Sequence, residues 1–564
     1  MSLVSKFKTT LLAILSGVLL AVSFPPFGFI GGFAAFVFLV PLLVALEQTT
    51  KLRNAFRIGY ITMFVCSLIA TYWVGGFKGE GQVDPFLLVG GVALALVHPI
   101  FLILPVLTYD ALRRRFGRIV ALVALPVIWI GFEYWHSTGD LSFPWLNLYN
   151  TQTYNTSYIQ FIELTGSYGL SLVILLVNIL LYTLLRYSVI TTKPLAVATA
   201  VTGIKRSVRF TLIGAIALLI LLPYAYALTI LNVWSDEPSF KVTIVQPNLN
   251  PWDKWNTNGH QVTDSMFRST RTALAGNKTD LILWPETALT YPITLPYRKG
   301  ELNEVYGFMH SVGAPILTGI PDREEYVVGS GKQIPHDAKK TKDPMFYYRD
   351  WNSAMLFYQG TDGKPAYQRY HKQRLVPFGE RVPFVDWFPF LGDWFQWGVG
   401  LGSWNVGEGY ENFKLPLHSG LTAPDTAKFC SMICYESVYP SYVREFVANG
   451  AQFISVITND GWYGKSSGPY QHNRYAVLRA VENRRYIIRS ANTGISSVID
   501  DKGNIVAETG LFTSTSITHR IRPLSKLTLY TKLGDYIAIP FEWITGAVVV
   551  LLIVLGLYRK QKGA

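Results

Sequence analysis

The sequence predicts a polytopic α-helical membrane domain that carries one large α/β domain outside the membrane. The chain has 564 residues, is 50% hydrophobic and has a mean hydropathy of +0.25. It is therefore too apolar for one soluble globule and too polar for a bundle of membrane helices alone. Its apolar residues are also unevenly spread, with long runs in 1–231 and 539–564 and a mixed segment at 232–538.

Eight apolar runs are long enough to cross a bilayer, which requires roughly 20 helical residues. They cover residues 8–24, 28–46, 57–77, 86–110, 119–136, 167–186, 209–231 and 539–558. The first run is short enough for a signal peptide. No small-residue cleavage site follows it, so we treat it as a retained span.

Positive residues at the ends of these runs predict the orientation, because loops rich in Lys and Arg stay in the cytoplasm. One set of ends is strongly basic, whereas the other set of short loops carries Lys78 alone. The basic set comprises Lys6, Lys8, Lys51, Arg53, Arg57, Arg113, Arg114, Arg115, Arg118, Arg186, Lys193, Lys205, Arg206, Arg209, Arg559, Lys560 and Lys562. Both termini are therefore predicted to be cytoplasmic, with residues 232–538 outside the cytoplasm.

The net charge of +13 raises the question of a nucleic-acid partner. The positive excess lies mainly in the segments that flank 232–538, and that middle segment is close to neutral. Membrane orientation accounts for the charge, and we expect no nucleic-acid partner.

The middle segment alternates predicted strands with predicted helices, which is the pattern of a layered α/β domain. Apolar runs predict strands at 241–247, 281–286, 314–320, 352–358, 366–371, 429–434, 453–457 and 494–500. Helices are predicted at 259–275, 300–311, 440–448 and 469–487. The polar stretch 322–350, rich in Gly, Lys and Asp, is expected to be a surface insertion.

Three of these strands end on reactive side chains: Glu286, Lys372 and Cys434. Each has an ordinary explanation, because loop carboxylates and basic runs are usually solvated and a lone cysteine usually packs as a small hydrophobe. Together they suit attack on a carbonyl: the carboxylate can take the thiol proton, and the ammonium can stabilise the thiolate and the oxyanion. The backbone N–H of Tyr435 is a second candidate oxyanion donor.

The three cysteines indicate neither a disulfide framework nor a metal centre. Cys66 lies in an apolar run, apart from Cys430 and Cys434. No second Cys pair or spaced His pair completes a site around the latter two. We expect no metal and no cofactor.

The order Glu, Lys, Cys, each at a strand end, resembles the nitrilase superfamily. The surrounding motifs resemble the apolipoprotein N-acyltransferase family more narrowly, over nearly the whole chain. They are Phe24-Pro25-Pro26-Phe27-Gly28, Phe143-Pro144-Trp145-Leu146, Trp284-Pro285-Glu286, Leu375-Val376-Pro377-Phe378-Gly379-Glu380, Ile433-Cys434-Tyr435-Glu436, Asn459-Asp460-Gly461-Trp462-Tyr463-Gly464, Gly468-Pro469-Tyr470-Gln471-His472 and Asn492-Thr493-Gly494.

This resemblance implies an αββα sandwich and a two-step reaction at a bacterial inner membrane, with the external domain periplasmic. Cys434 would take an acyl chain from a membrane phospholipid as a thioester, with Glu286 as general base and Lys372 stabilising the oxyanion. The α-amino group of the diacylglyceryl-modified N-terminal cysteine of an apolipoprotein would then attack the thioester. A monomeric protein would be sufficient.

The same resemblance implies further site residues. Glu380 would hold Lys372 or assist proton transfer. Trp284, Tyr435 and Glu436 match positions that shape or gate the substrate pocket. The stretch 322–350 departs from the family pattern in being longer and more charged.

An aromatic-rich stretch from Val385 to Trp404 follows Glu380 and includes Trp394 and Trp397. Glycines interrupt it, which disfavours a regular element, and Trp prefers the membrane interface. Core packing is the ordinary explanation. We favour a lid that dips into the outer leaflet and contacts the substrates.

Two other functions use some of the same features. A membrane-tethered amidase of the nitrilase type would employ the same three residues, but a soluble substrate would not require eight spans. A transporter would need ionisable residues lining a path through its spans. Asp110, Glu133 and His136 instead lie near the ends of apolar runs.

Overall fold

The computed structural model describes residues 3–75, 85–188, 205–231, 238–255, 257–388, 390–391, 404–417 and 426–562. They form a helical part, made of residues before 232 together with the last long helix, and a sheet domain between them.

The helical part contains eight segments long and apolar enough to cross a membrane, which confirms the predicted number within the described residues. The second predicted span is divided into two shorter helices. The fourth extends through two consecutive helices as far as Phe116. The helices are α1 (Leu3–Ser23), α2 (Gly28–Ala34), α3 (Leu39–Glu47), α4 (Leu52–Thr71), α5 (Pro85–Leu102), α6 (Leu104–Phe116), α7 (Arg118–Trp135), α8 (Ile162–Ser188) and α9 (Arg206–Leu231), with the C-terminal α15 (Ala538–Lys562).

The sheet domain contains two sheets. Its strands are β1 (Phe240–Gln246), β2 (Leu281–Leu283), β3 (Ile316–Val327), β4 (Lys339–Lys340), β5 (Phe346–Gln359), β6 (Pro365–His371), β7 (Phe413–Pro416), β8 (Thr426–Ile433), β9 (Phe453–Thr458), β10 (Ile487–Ala491), β11 (Ser497–Ile499), β12 (Ile505–Glu508) and β13 (Thr515–Ile521). The first sheet has the order β13-β1-β2-β3-β5-β4, with β6 also paired to β5. The second has the order β12-β11-β10-β9-β8-β7.

The domain's helices are α10 (Gly259–Leu274), α11 (Lys299–Val312), α12 (Pro440–Ala448), α13 (Ser467–Asn483) and the short α14 (Leu529–Leu533). Side chains from the two sheets meet in one buried core, as where the Phe240 and Phe453 rings lie 5.4 Å apart. A separate core fills the space between the first sheet and α10 and α11. Helices thus cover both sheets, and the expected αββα arrangement is confirmed.

The stretch 322–350 lies largely on the surface, as its composition suggested, but its two ends belong to the first sheet. Strand β3 continues to Val327 and β5 starts at Phe346, so residues 322–327 and 346–350 pair in register as the two arms of a hairpin. Arg323 and Asp350 lie opposite each other and form an ion pair at 2.6 Å, and such cross-strand pairs stabilise a polar ladder. Composition could not reveal this pairing.

The predicted helix 469–487 is too long at its C-terminal end. It ends at Asn483, because Arg484 adopts a left-handed conformation with φ +50°. The next residues form β10, a strand that the sequence analysis missed, and it pairs in parallel with β9. The strand predicted at 494–500 is limited to β11.

Helix α13 connects the two parts of the molecule. Arg479 on this helix donates to Ser167 Oγ of α8 at 2.9 Å, and Arg484 bonds Glu163 at 2.7 Å. Tyr435 donates its hydroxyl to the Ser142 carbonyl at 3.0 Å, in the loop after α7. The sheet domain is therefore attached to the helical part by buried polar contacts.

The crossing of α7 and α15 provides a test of the helix packing. A Cβ added at Gly131 would lie 2.4 Å from both the Phe541 carbonyl oxygen and Thr545 Oγ1. We expect Gly131→Val to force the helices apart and destabilise the protein by about 1–3 kcal/mol, the usual cost of overpacking. The measurement is the unfolding temperature in detergent.

The matched control is Gly546→Val on α15, where an added Cβ would meet no described atom within 4 Å. Equal losses of stability in the two variants would contradict a close contact at Gly131.

Candidate active site

The three strand ends singled out in the sequence converge between the two sheets. Glu286 follows β2, and Lys372 directly follows β6 of the same sheet. Cys434 directly follows β8 of the other sheet. The charges of Glu286 and Lys372 both act on the Cys434 thiol, so the structure brings the predicted trio together.

Lys372 lies at the centre of a buried ion cluster. Its Nζ is 2.8 Å from Glu380 Oε1 and 3.4 Å from Glu286 Oε1, and its side chain is only 1% exposed. Asn352 Nδ2 donates to Glu286 Oε1 at 2.8 Å and to Glu380 Oε1 at 3.1 Å. The Val376 N–H holds the other Glu380 oxygen at 2.9 Å. This geometry fits the expectation that Glu380 holds Lys372.

The cluster sets the protonation of the lysine and the thiol in opposite ways. Burial alone would lower the pKa of Lys372, but Glu380 and Glu286 outweigh it and raise that pKa above its ordinary value. Burial also raises the pKa of Cys434, and Glu286 adds to the effect while Lys372 opposes it. The resting site therefore holds an ammonium beside a neutral thiol that needs a base.

The backbone at Cys434 is held in an unusual conformation. Its φ of +53° lies in the left-handed region, which is strained for a residue with a side chain. The Cys434 carbonyl accepts from Ser437 Oγ at 2.9 Å and contacts His472 Nε2 at 3.0 Å. Because a carbonyl only accepts, Nε2 is the protonated nitrogen in this contact. These bonds hold the sharp turn that presents the thiol.

A second buried cluster supports His472. Its Nδ1 is 2.8 Å from Asp460 Oδ1, and Arg489 donates to Asp460 Oδ2 at 2.6 Å. Burial would raise the pKa of Asp460, but the charges of Arg489 and His472 hold it below its ordinary value. The carboxylate is thus ionised and orients the imidazole.

Ligand atoms of Cys434, Asp460 and His472 lie within 4.8 Å of one another, a spacing that would suit a metal ion. The guanidinium of Arg489 already binds Asp460 and lies 3.0 Å from His472 Nδ1. A metal cation there would face a fixed positive charge. The donor set therefore favours the protein's own ion pair over a metal.

The turn that carries Glu286 is also held in place by neighbouring residues. Thr287 has φ +47°, and the buried Lys254 donates from Nζ to its carbonyl oxygen at 3.1 Å. A Cβ at Gly319 would lie 2.5 Å from Glu286 Cα, so only glycine allows this approach. Burial lowers the pKa of Lys254 to about 8, with Glu286 opposing.

The remaining predicted pocket residues occupy different places. Trp284 is completely buried in the core behind the first sheet, where its indole donates to Thr270 Oγ1 at 2.9 Å. Glu436 is also fully buried and accepts from Tyr370 OH and from the Gln373 N–H, each at 2.7 Å. Both positions favour support of the site over contact with a substrate.

Tyr435 lies where the site meets the helical part. Its ring stacks beside Trp145 and Phe143, with centroids 6.2 and 6.3 Å away. Among the predicted pocket residues it is the one directly in contact with the loop after α7. This position suits a residue that shapes the entrance from the membrane side.

The aromatic stretch after Glu380 is described only in part, and Trp394 and Trp397 lie outside the described residues. Trp387 is 80% exposed, and Phe388 and Phe390 are 53% and 50% exposed, so these three are not core residues. The Phe384 N–H donates to Asp140 of the helical part at 2.9 Å. The described portion is an exposed aromatic surface beside the membrane helices.

Several residues of the site carried no assigned role in the sequence analysis: Lys254, Asn352, Asp460, His472 and Arg489. Asp460 and His472 belong to quoted motifs, so a signal for them existed. Asn352 and Lys254 lie in a predicted strand and a loop, and nothing local distinguishes them. Only their contacts reveal what they do.

Comparison with known proteins places the chain in a family. Residues 16–180 match the model of the apolipoprotein N-acyltransferase N-terminal domain, and residues 241–526 match that of carbon-nitrogen hydrolases. An amidase structure from Nesterenkonia sp. covers 54% of this chain and 96% of its own, at 16% identity and a TM-score of 0.35. That TM-score is too low to support a conclusion about this chain.

Full-length relatives are more informative. The apolipoprotein N-acyltransferase of Chlorobaculum tepidum is 32% identical over 94% of both chains. That of Geobacter metallireducens is 31% identical over 96% of this chain and 94% of its own. Similarity of this extent, across the helical part and the sheet domain together, shows that the chain belongs to the apolipoprotein N-acyltransferase family.

Proposed function

We propose that this protein transfers a fatty acyl chain from a membrane glycerophospholipid to the N-terminal S-diacylglyceryl-cysteine of apolipoproteins. The observation that carries the proposal is the half-buried Cys434 thiol beside Lys372, Glu286 and Glu380, at the junction with membrane-type helices. Family membership supports the apolipoprotein acceptor and the N-acyl transfer, because the relatives are named for them.

In the first step Glu286 takes the thiol proton as Cys434 Sγ attacks an ester carbonyl of the phospholipid, typically at sn-1. The tetrahedral oxyanion is stabilised by the Lys372 ammonium, which Glu380 and Asn352 hold in place. Collapse breaks the ester bond. The leaving lysophospholipid oxygen receives the proton from Glu286, and the acyl chain remains on Cys434 as a thioester.

In the second step the α-amino group of the lipoprotein cysteine attacks the thioester carbonyl. Glu286 takes the amine proton, and Lys372 again faces the oxyanion. The C–S bond then breaks, the amide product leaves and the Cys434 thiolate recovers its proton. One carboxylate thus serves both halves of a ping-pong reaction.

The topology of the proposal follows from the charged loops. Residues 1–231 cross the bacterial inner membrane seven times, 232–538 form the periplasmic catalytic domain, and 539–564 return to the cytoplasm. Both termini are then cytoplasmic. The site's groups come from one chain, which supports a monomeric enzyme.

A lipid donor explains two features that a soluble amide substrate would not require. Tyr435, next to the nucleophile, packs on Trp145 of the helical part, so the site adjoins the membrane helices. Trp387 and Phe388 form an exposed aromatic surface, and such side chains favour the lipid–water interface. We propose that this surface contacts phospholipid, with Trp394 and Trp397 as further contacts.

We expect Cys434→Ala to abolish acyl transfer while the protein remains folded, because no other described thiol is available at the site. Intact-mass analysis after incubation with phospholipid should show a thioester adduct on the native protein and none on the variant. Cys430→Ala is the matched control: Cys430 is fully buried on the same strand. Equal loss in both folded variants would contradict a single nucleophile.

We expect Lys372→Arg to lower the acylation rate by about 10²–10³-fold, the usual effect of losing one oxyanion donor. The guanidinium keeps the charge, but its planar fork does not fit the pocket that Glu380 and Asn352 shape. Single-turnover thioester formation is the measurement. Lys364→Arg, at the exposed turn between β5 and β6, should be silent; near-normal turnover of Lys372→Arg would exclude the oxyanion role.

We expect Glu286→Gln to block thioester formation and yet make the thiol more acidic. The carboxylate raises the pKa of Cys434, so its removal should shift the pH midpoint of Cys434 alkylation downward. Loss of acylation despite an easier ionisation would identify Glu286 as a proton acceptor. Normal thioester formation in this variant would show that another group is the base.

A further inference from the structure

We propose that Gln471 is a positioning residue that couples the packing of the membrane helices to the conformation of the nucleophile. The inference rests on the proposed function, because it concerns the nucleophile Cys434. The hydrogen bonds that support it do not depend on which substrate the protein uses. Gln471 lies in the first turns of α13, one residue before His472.

Every hydrogen-bonding group of the Gln471 side chain bonds to a residue of the helical part. Its Oε1 accepts from the indole N–H of Trp73 at 2.9 Å and of Trp145 at 2.7 Å. Its Nε2 donates to the carbonyl oxygens of Pro25 and Ala70, each at 2.9 Å. A primary amide has two acceptor sites and two N–H donors, so every one of them is satisfied.

These four partners come from three separate places in the helical part: the turn after α1, the end of α4 and the loop after α7. Gln471 is only 1% exposed, so water cannot replace a lost partner. A buried polar group is costly to leave unpaired. The amide therefore requires all three segments to keep their relative positions.

The next residue faces the nucleophile. Successive helix residues point about 100° apart, and His472 contacts the Cys434 carbonyl at 3.0 Å on the other side. Asp460 fixes the imidazole, so His472 cannot easily turn away. A shift of the helix at Gln471 must then move His472 relative to the strained backbone of Cys434.

This arrangement links membrane packing to the thiol through two consecutive side chains. If α13 loosens, the Cys434 turn can relax from φ +53° and carry Sγ out of its place beside Lys372, Glu286 and Asp460. Burial and the two carboxylates together raise the pKa of the thiol more than Lys372 lowers it, so a displaced thiol ionises more easily. Gln471 touches no reacting atom in this scheme. Its effect appears in the position and ionisation of the thiol.

The test measures iodoacetamide alkylation of Cys434 in the purified full-length protein in detergent, across a range of pH. This readout needs neither phospholipid nor lipoprotein, so it is independent of the proposed substrates. Cys66 and Cys430 are fully buried and serve as internal slow sites, resolved by peptide mass analysis.

We expect Gln471→Leu, which keeps the volume and removes all four bonds, to speed alkylation at pH 8 at least fivefold. The pH midpoint should also fall, because the displaced thiol leaves the burial and the carboxylates that raise its pKa. Trp73→Phe removes only one of the two indole bonds to Gln471, so its effect should be smaller. It is the variant to measure if the leucine variant does not fold.

Gln160→Leu is the matched control. Gln160 is equally buried and joins the same two parts, donating to the Lys502 carbonyl at 2.9 Å and accepting from Arg484 at 2.6 Å. It lies at the far end of α13 from Cys434. We expect a similar loss of unfolding temperature with unchanged alkylation.

A double-mutant cycle tests the route through His472. His472→Gln should speed alkylation, and adding Gln471→Leu should speed it little further, because the two act in series. The proposal is overturned if Gln471→Leu alkylates at or below the native rate, if Gln160→Leu speeds alkylation as much, or if the two effects multiply independently. If these alkylation results are obtained but no acyl-enzyme forms with phospholipid, only the proposed function is contradicted.

Discussion

The buried ion cluster around Lys372 is the interaction on which the rest of the site depends. One ammonium lies between two carboxylates, Glu380 and Glu286; Lys372 is almost completely removed from water, and the two carboxylates are mostly so. Desolvating such charges costs several kcal/mol for each ion, and breaking a buried pair typically costs about 3–5 kcal/mol. The cluster therefore persists only because Asn352 and the backbone at Val376 satisfy the remaining oxygens.

The charge balance of this cluster also explains why the thiol is neutral at rest. Burial and the charge of Glu286 raise the pKa of Cys434, and Lys372 only partly opposes them, so the environment disfavours the thiolate. A nucleophile of this kind is ionised only as a base removes its proton. The carboxylate that suppresses the thiolate is the one placed to receive that proton, which ties ionisation of the thiol to Glu286.

Strain and support occur together at the two functional turns. Cys434 and Thr287 both adopt left-handed backbone conformations, which cost free energy for residues with side chains. The turn at Cys434 is held by His472, and the turn after Glu286 is held by Lys254. Neither supporting residue needs to touch a substrate. Buried polar residues around the site, such as His472 and Lys254, thus hold the reactive groups in place.

The sequence by itself determined the number of membrane-type helices, the layered α/β class and the three strand-end residues, because these depend on local hydrophobic runs and periodicity. The tertiary structure decided that Trp284 is a core residue and that the two ends of the polar 322–350 stretch pair as arms of one hairpin. It also revealed Gln471, whose partner Pro25 lies 446 residues away along the chain. Such partners are invisible to local pattern, because a hydrogen bond is set by distance in space and leaves no spacing in the sequence.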